Sequence, residues 1–345
     1  MWKDRGEDEV KEKKKINWKA LIGKPEFSTV LMLAVMIIIT ACLQSNFFAA
    51  NTLLGYVNSF TPLILMAMGQ AVVIISGGLD MSCGTSMALL LCIMTRIMDP
   101  AKPGTGVTAL VVGLAAAVGI GLLNGFAVGY LRLPAVIATF ATSYIWLGIA
   151  LFVTPTPGGH QVAWFRGFYD LAQIPGFKGI GKTFPTAILW IVLACAIWFV
   201  IRRSRTGRYI YAVGSHNESA YASGINTGKI QTTAYVINAL FLFFVAVYYA
   251  GQNGAGSANF GDTMTLQAVA AAVVGGVAMS GGRGSVYAAI AGALIMSFVG
   301  RIIYFANIPN AYQMLASGLI IIGAIGVSAA YAASQKRAAL KGGGR

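Results

Sequence analysis

The sequence predicts an all-α membrane protein with about ten transmembrane helices, on the evidence of its composition and its recurring apolar runs. Of the 345 residues, 57% are hydrophobic and 10% are charged, whereas soluble domains carry about 25% charged residues. The mean hydropathy is +0.71. The apolar runs cover roughly residues 27–43, 52–76, 84–98, 106–131, 134–153, 184–200, 232–252, 266–279, 285–304 and 312–333.

Lysine and arginine are distributed unevenly over the segments that join these runs. With the N-terminus inside the cell, cytoplasmic segments carry 19 of the 25 Lys and Arg residues, and outer segments carry 6. Because cytoplasmic loops are enriched in these residues, we expect both termini in the cytoplasm and an even number of spans. The predicted organisation is a basic tail at 1–26, a membrane domain at 27–333 with an external loop at 154–183, and a basic tail at 334–345.

The net charge of +14 does not require a nucleic-acid partner. The basic run Lys11–Lys15 is typical of a topology signal and of contact with anionic membrane lipid. The four cysteines are scattered over separate apolar runs, and the two histidines lie in loops on opposite sides of the membrane. Residues 176–183 match a phosphate-loop pattern, but neither a strand before it nor a helix start after it is predicted. We therefore predict no catalytic residue, no metal and no nucleic acid.

A long polar segment, 201–231, joins the sixth and seventh apolar runs. Its positive charges place it in the cytoplasm, and a connection of this length is uncommon unless it has a function. Residues 218–224 are predicted to form a short helix that is ended by glycine. We interpret the segment as a surface for a cytoplasmic partner. The positive charges are Arg202, Arg203, Arg205, Arg208 and Lys229.

Glycine-rich kinks adjoin the two shortest apolar runs, one before 84–98 and one after 266–279. Interrupted segments of this kind mark transport sites, because unwound backbone is tolerated in a membrane only against protein or water. Tight turns between hairpin helices would explain the glycines equally well. The kink residues that we consider candidates for lining or gating a path are Gly77, Gly78, Ser82, Gly84, Gly281, Gly282, Arg283 and Gly284.

Asp80 is the acidic residue that adjoins the apolar core in the first kink. An ionisable group in this position is a functional candidate. A structural role as a cap of the helix that starts near Ser82 and Gly84 is the interpretation we favour, and both roles can hold together. An ion pair between Asp80 and Arg283 is a further alternative.

Neutral hydrogen-bonding side chains occur inside several apolar runs. Asn124 adjoins a small face of three glycines spaced four residues apart, and a buried amide needs partners. Thr139 and Thr142 add hydroxyl groups in the next run, and Asn238 adds an amide in the seventh. None of the runs has an acid near its centre, which disfavours a proton- or sodium-driven carrier. We therefore expect an uncharged polar solute.

Four segments in order resemble the permease subunits of bacterial monosaccharide ABC importers of the ribose, xylose, arabinose and galactose type, which are related to branched-chain amino acid permeases. The resemblance covers about 27–333. It implies a fold similar to the vitamin B12 importer permease (type II), a location in the bacterial cytoplasmic membrane, a dimer of permeases, two ATP-binding subunits beneath and a sugar-binding protein outside. The segments are ISGGLDMSCG (75–84), GLLNGFAVGYLRLPAVIATFAT (121–142), GRYIYAVGSHNESAYASGI (207–225) and GGVAMSGGRGSV (275–286).

In the family that the chain resembles, the loop that matches 207–225, which includes Arg208, couples the permease to the ATPase. The family pattern E-A-A-x-x-x-G falls on Glu218, Ser219, Ala220 and Gly224. Ser219 departs from the usual alanine but is similarly small. The resemblance implies that ATP binds a partner subunit and that this chain needs no cofactor of its own.

Three alternatives to a monosaccharide permease remain at this point. The same class of ABC permease could carry a nucleoside, a branched-chain amino acid or a furanone-like signal molecule. A carrier that works without ATP would need charged residues in mid-span, and it would give the 201–231 segment no role. A membrane scaffold that transports nothing would leave the paired kinks unexplained.

Overall fold

In a computed structural model of the chain, the described residues are 25–170, 185–309, 312, 315, 318–319 and 322–323. Within them all regular elements are helices, and the only bridges are two isolated ones, so the predicted all-α class is confirmed. One 3₁₀ helix covers Ala163–Phe168. The α-helices are α1 (Pro25–Leu43), α2 (Ala50–Ile75), α3 (Cys83–Ile97), α4 (Thr105–Gly129), α5 (Ala135–Val153), α6 (Thr186–Arg203), α7 (Arg205–Ser215), α8 (Asn217–Ala222), α9 (Thr227–Asn253), α10 (Met264–Val274) and α11 (Ala288–Phe305).

Six of these helices are long and apolar enough to cross a membrane: α2, α4, α5, α6, α9 and α11. Shorter apolar helices are α3, α10 and the Thr29–Leu43 part of α1. These nine helices coincide with the first nine predicted runs, and the prediction of a membrane protein is confirmed. The two tails, residues 171–184 with the phosphate-loop match, and most of the tenth run lie outside the described residues, so the count of ten spans stays a prediction.

The predicted loop 201–231 is largely helical. Helix α6 continues to Arg203, and α9 begins at Thr227, five residues before the predicted run. The polar residues at the start of α9 mark the end of the bundle and do not break the helix. Asn226 is the N-cap of α9, and its side chain accepts a hydrogen bond from the backbone N–H of Lys229 (2.9 Å).

Helix α9 is the centre of the bundle and packs most extensively against α4. The glycine face of α4 makes this contact, as its spacing predicts. A Cβ atom on Gly121 would lie 2.6 Å from the Cα atom of Val236, and one on Gly125 would lie 2.5 Å from the Cα atom of Thr232. The opposite face of α4 is exposed and apolar, as at Leu123 (57% exposed), and is suited to lipid.

The loops sort to the two ends of the bundle as charge predicts. At one end Gly158 and Gly256 form a bridge, and the backbone N–H of His160 donates to the carbonyl oxygen of Thr95 (2.9 Å). At the other end the N–H of Gly282 donates to the carbonyl oxygen of Ile75 (2.9 Å). The 27 residues of α9, about 40 Å of helix, connect the two ends. We refer to these as the outer and cytoplasmic ends, following the charge distribution.

Candidate functional site

The first kink is an unwound, buried segment between α2 and α3. It leaves α2 at Gly77, whose φ of 87° suits glycine. The carbonyl oxygen of Leu79 accepts a hydrogen bond from the hydroxyl group of Tyr235 (3.1 Å), and the N–H of Met81 donates to the hydroxyl oxygen of Thr139 (2.9 Å). The one proton of the Thr139 hydroxyl is shared between the carbonyl oxygens of Ala135 (2.7 Å) and Leu79 (3.1 Å). Side chains of α5 and α9 thus satisfy backbone groups that would otherwise be unpaired inside the bundle.

Asp80 is 3% exposed and accepts three hydrogen bonds. Its Oδ1 atom accepts from the backbone N–H (2.8 Å) and the hydroxyl (2.6 Å) of Ser82, and its Oδ2 atom accepts from Nδ2 of Asn238 (2.8 Å). The carboxyl group therefore holds the turn that leads into α3 and fastens it to α9. This arrangement matches the structural role that we favoured, although the N–H that is bound precedes the first turn of α3.

The alternative prediction of an ion pair between Asp80 and Arg283 is wrong. In the part of the chain that the structure describes, Lys102 and Asp99 form the only ion pair within 4.0 Å. Arg283 is exposed, whereas Asp80 is turned into the bundle toward α9. The hydrogen bonds from Ser82 and Asn238 take the place of a counter-ion.

Buried polar side chains of α2, α3 and α4 extend this site. Nδ2 of Asn124 donates to the hydroxyl oxygen of Ser82 (2.8 Å), and Sγ of Cys83 lies within hydrogen-bond distance of the carbonyl oxygen of Asp80 (2.8 Å) and of Oε1 of Gln70 (3.0 Å). Ser82 is thus the partner of the Nδ2 atom of Asn124, whereas the buried Oδ1 atom of that amide has no partner among the described residues. Thr142 does not join the cluster, because its hydroxyl donates to the carbonyl oxygen of Thr139 in its own helix (3.1 Å).

The short helices α3 and α10 begin side by side in the interior of the bundle. The N–H of Gly84 donates to the hydroxyl oxygen of Thr265 (2.9 Å). A Cβ atom on Gly84 would lie 2.1 Å from the carbonyl oxygen of Gly261, so only glycine permits this approach of two backbones. We call this contact of Gly84, Gly261 and Thr265 the helix crossing. From it α3 leads to the outer end and α10 to the cytoplasmic end.

At the cytoplasmic end both kinks meet the end of α7. A Cβ atom on Gly214 would lie 1.8 Å from the carbonyl oxygen of Ile75, and one on Gly281 would lie 2.6 Å from the carbonyl oxygen of Gly214 and 3.0 Å from the Cα atom of Gly77. We call Gly77, Gly214, Gly281 and Gly282 the glycine junction. Its members are in backbone contact, with no side chain between them.

Helix α7 makes two further contacts with the second kink. The Tyr211 hydroxyl donates to the carbonyl oxygen of Gly284 (3.1 Å). The Ser215 hydroxyl donates to the carbonyl oxygen of Tyr211 in its own helix (2.9 Å) and lies 3.5 Å from the carbonyl oxygen of Gly282. Burial raises the pKa of the Tyr211 phenol, and the charge of Arg202 opposes this only partly. The phenol therefore remains protonated, and a hydrogen-bond donor, at neutral pH.

The residues that match the coupling pattern form the exposed surface of α8 and its end. Glu218 and Ser219 are exposed, whereas Ala220 is 6% exposed and turned toward the bundle. Gly224 follows α8 with a φ of 82°, so the short helix ended by glycine is confirmed. Arg208 is exposed on α7, where its Nη1 atom donates to the carbonyl oxygen of Arg203 (3.1 Å).

Several residues of the site carry no signal in the sequence. Gly214, Gly261 and Thr265 are recognisable only once distant segments meet. Asn238 was noticeable as an amide in an apolar run, but its pairing with Asp80, 158 residues away, was not. Among the residues that the structure covers, no group of three His, Cys, Asp or Glu side chains is placed to hold a metal ion.

Comparison with known proteins gives concordant matches. A family model described as "Branched-chain amino acid transport system / permease component" matches residues 52–325. The ribose import permease protein RbsC of Escherichia coli (strain K12) is 30% identical over 87% of this chain and 92% of its own length. The galactose/methyl galactoside import permease protein MglC of the same strain is 29% identical over 91% of this chain and 99% of its own length. No solved structure matches the chain.

A third relative is named for the import of a different solute. The autoinducer 2 import system permease protein LsrC of Salmonella paratyphi B is 26% identical over 89% of this chain and 86% of its own length. The similarity to all three relatives thus extends over nearly the whole membrane domain.

Proposed function

Because this chain belongs to the family of branched-chain amino acid transport system permease components, we propose that it is the membrane-spanning subunit of an ABC importer and that its cargo is a monosaccharide. It is a multi-pass inner-membrane protein and a transport component, not an enzyme. Relatives that import ribose and galactose support the cargo. The fold expected for such a subunit is that of a type II importer, with ten spans and both termini in the cytoplasm.

The glycine junction is the observation that carries this proposal. It connects the exposed α7–α8 segment directly to the ends of both kinks. An ABC ATP-binding subunit that docks on Glu218, Ser219 and the rest of α8 would therefore act on α2 and α10 through backbone contact. ATP is bound and hydrolysed by that partner, which biases the permease through its different contacts with the two states.

The helix crossing is the part of the path that this movement would open. Helix α10 is continuous with the second kink, and α3 is joined to the first kink through Asp80 and Ser82. Displacement of α7 would thus act on the second kink and α10, and so on the Gly84–Gly261 contact. A solute released by a binding protein at the outer end would pass where these two helices separate.

The polar groups along this route favour an uncharged solute. Asn124, Thr139 and Ser82 are neutral, and all three hydrogen bonds to Asp80 come from the protein itself. The autoinducer 2 relative makes a furanone-like signal molecule the second candidate cargo within the same class. A sugar-binding protein on the outer face and a second permease copy, the same chain or a related one, complete the proposed complex, which membrane lipid surrounds.

Co-purification and reconstitution test the proposal. The chain is expressed with its neighbouring genes, purified in mild detergent and reconstituted with the proteins that accompany it. We expect an ABC ATP-binding subunit, a binding protein and uptake of radiolabelled ribose, xylose, arabinose or galactose that depends on ATP. Uptake without ATP, or purification without any ATP-binding subunit, would contradict the proposal.

A further inference from the structure

A cavity of about 450 Å³ opens at the outer end between α2, α9, α10 and α11. Its volume is within the range of about 300–1,000 Å³ that small-molecule sites occupy. We infer that this cavity binds the polyhydroxylated ring of the solute before it passes the helix crossing. The inference rests on the proposed function, since it adds the residues that contact the cargo.

Arg301 is the principal polar group of the cavity. Its Nη2 atom donates to the hydroxyl oxygen of Ser59 on α2 (2.8 Å), and its guanidinium lies over two rings of that helix, 5.4 Å from the centroid of Tyr56 and 5.8 Å from that of Phe60. Within the described ranges, no carboxylate lies within 4.0 Å of it. A guanidinium has five N–H donors, so those that are not bound to Ser59 are available to the oxygen atoms of a ligand.

The direction of the Arg301 side chain distinguishes it from an ordinary membrane-surface arginine. Arginines near a helix end usually extend along the helix to reach the polar interface. Arg301 lies close to the outer end of α11 but crosses to α2 instead. Ionisable side chains that face the interior of a membrane bundle or a water-filled cavity mark substrate or ion pathways.

The apolar side of the cavity is formed by two aromatic rings. Tyr249 and Phe260 contact each other edge to face, with centroids 4.7 Å apart and an interplanar angle of 81°. Phe260 is 36% exposed. A sugar ring carries C–H groups on its faces and hydroxyl groups around its edge, so it needs apolar and hydrogen-bonding walls together. Gln267 on α10 and Ser297 on α11 provide additional hydrogen-bonding groups.

The cavity and the helix crossing share the start of α10. Met264 lines the cavity, and the next residue, Thr265, accepts the hydrogen bond from Gly84. A ligand in the cavity therefore contacts the end of α10 that takes part in the crossing. None of the described residues that line the cavity is acidic, and the positive charge of Arg301 disfavours a cationic solute.

Transport by the reconstituted complex tests the assignment. We compare Arg301→Gln and Gln267→Ala with Arg96→Gln, a control at an exposed arginine of the outer end, using the binding protein loaded with radiolabelled ribose, xylose, arabinose or galactose. Loss of a charged hydrogen bond to a ligand costs about tenfold or more in affinity. We expect about a tenfold lower uptake at limiting sugar for Arg301→Gln and, because Gln267 is neutral, a loss of about twofold to tenfold for Gln267→Ala. ATP hydrolysis is retained in both variants, and uptake is unchanged for the control.

A labelling experiment measures binding without transport. Ser297→Cys is treated with a polar thiol reagent from the outer side, and modification at that position is read by mass spectrometry. We expect the sugars of the panel to slow the modification, and Arg301→Gln to abolish this protection. Unchanged uptake in both cavity variants, or modification that no sugar slows, would overturn the inference while ATP-dependent uptake by the unmodified complex still supports the proposed function. If that complex imports no sugar, the proposed function fails. Protection of position 297 by sugar is then the measurement that shows whether the cavity binds sugar.

Discussion

Substitution of Gly214 by alanine is the most direct perturbation of the glycine junction. The added Cβ atom would lie 1.8 Å from the carbonyl oxygen of Ile75 and 2.8 Å from the backbone nitrogen of Gly282, whereas ordinary van der Waals contact begins at 3.4 Å. Both neighbours are backbone atoms, so no side chain can rotate away. Helix α7 must move from the end of α2, and the hydrogen bond between Gly282 and Ile75 is strained or lost.

The magnitude follows from these two effects. Overpacking of an interior contact costs about 1–3 kcal/mol, and loss of one backbone hydrogen bond adds about 0.5–1.5 kcal/mol. We therefore expect Gly214→Ala to destabilise the junction by about 2–4 kcal/mol. Because about 1.4 kcal/mol corresponds to a factor of ten, the population with an intact junction falls at least tenfold relative to the separated form.

The assay compares Gly214→Ala with Gly119→Ala on α4, where a Cβ atom would meet nothing within 4 Å. Thermal unfolding of the purified complex measures stability, and uptake per ATP hydrolysed in proteoliposomes measures coupling. We expect a lower Tm and a lower uptake-to-hydrolysis ratio for Gly214→Ala only. A Gly214→Ala complex with unchanged Tm and unchanged ratio would refute the role of the backbone contact.

Three further substitutions test other parts of the site. Asp80→Asn should destabilise the folded protein by about 1–3 kcal/mol, because asparagine cannot accept all three hydrogen bonds. The amount of protein in the membrane should fall for this variant and stay unchanged for Asp99→Asn, a control at an exposed carboxylate, and equal amounts of the two variants would contradict the structural role. Glu218→Ala with Gly224→Ala should lower Tm only modestly, because the φ of 82° at position 224 costs alanine about 1 kcal/mol, but it should uncouple ATP hydrolysis from uptake. Normal uptake would exclude α8 as the docking surface. Gly84→Ala places a Cβ atom 2.1 Å from a backbone carbonyl, so it should lower Tm and uptake together. Wild-type values of both would show that the two backbones at the helix crossing can separate without cost.

The sequence was a good guide wherever a property belongs to one segment. Apolar runs located nine helices to within a few residues, because helix length and composition in a membrane are set locally. The glycine spacing on α4 predicted a packing face, and Gly121 does lie against α9. The end of α8 at Gly224 was also predictable, since the left-handed backbone conformation there suits glycine.

Properties that depend on two distant segments were not predictable in this way. The local pattern leaves both kinks open to two interpretations, as site-lining segments or as tight turns. Nothing in it indicates that Gly214 lies in backbone contact with Gly77 and Gly281. Arg301 was counted only as an outer charge, because its contact with Ser59 spans 242 residues. A single sequence records which residues are polar or small, but not which of them meet.

The two kinks differ in the kind of contact that holds them, and this difference bears on how force would pass through the protein. Beyond its backbone contact at Gly77, the first kink is held mainly by directional hydrogen bonds from side chains, with Asp80 at their centre. The second kink is held against α7 mainly by backbone contact at Gly281 and Gly282, with one hydrogen bond from Tyr211. Close-packed backbone has almost no free space to compress, so it transmits displacement directly.

Hydrogen bonds behave differently, because a buried group keeps most of its stabilisation only where another partner is within reach to replace the one that is lost. A movement of α7 would therefore push the second kink and α10 as a unit, while the first kink has neutral donors and acceptors nearby with which to re-pair. The helix crossing joins these two segments at Gly84 and Gly261. On this argument α10 is the moving partner of the crossing, and α3, fastened to α9 through Asp80, is the partner against which it opens.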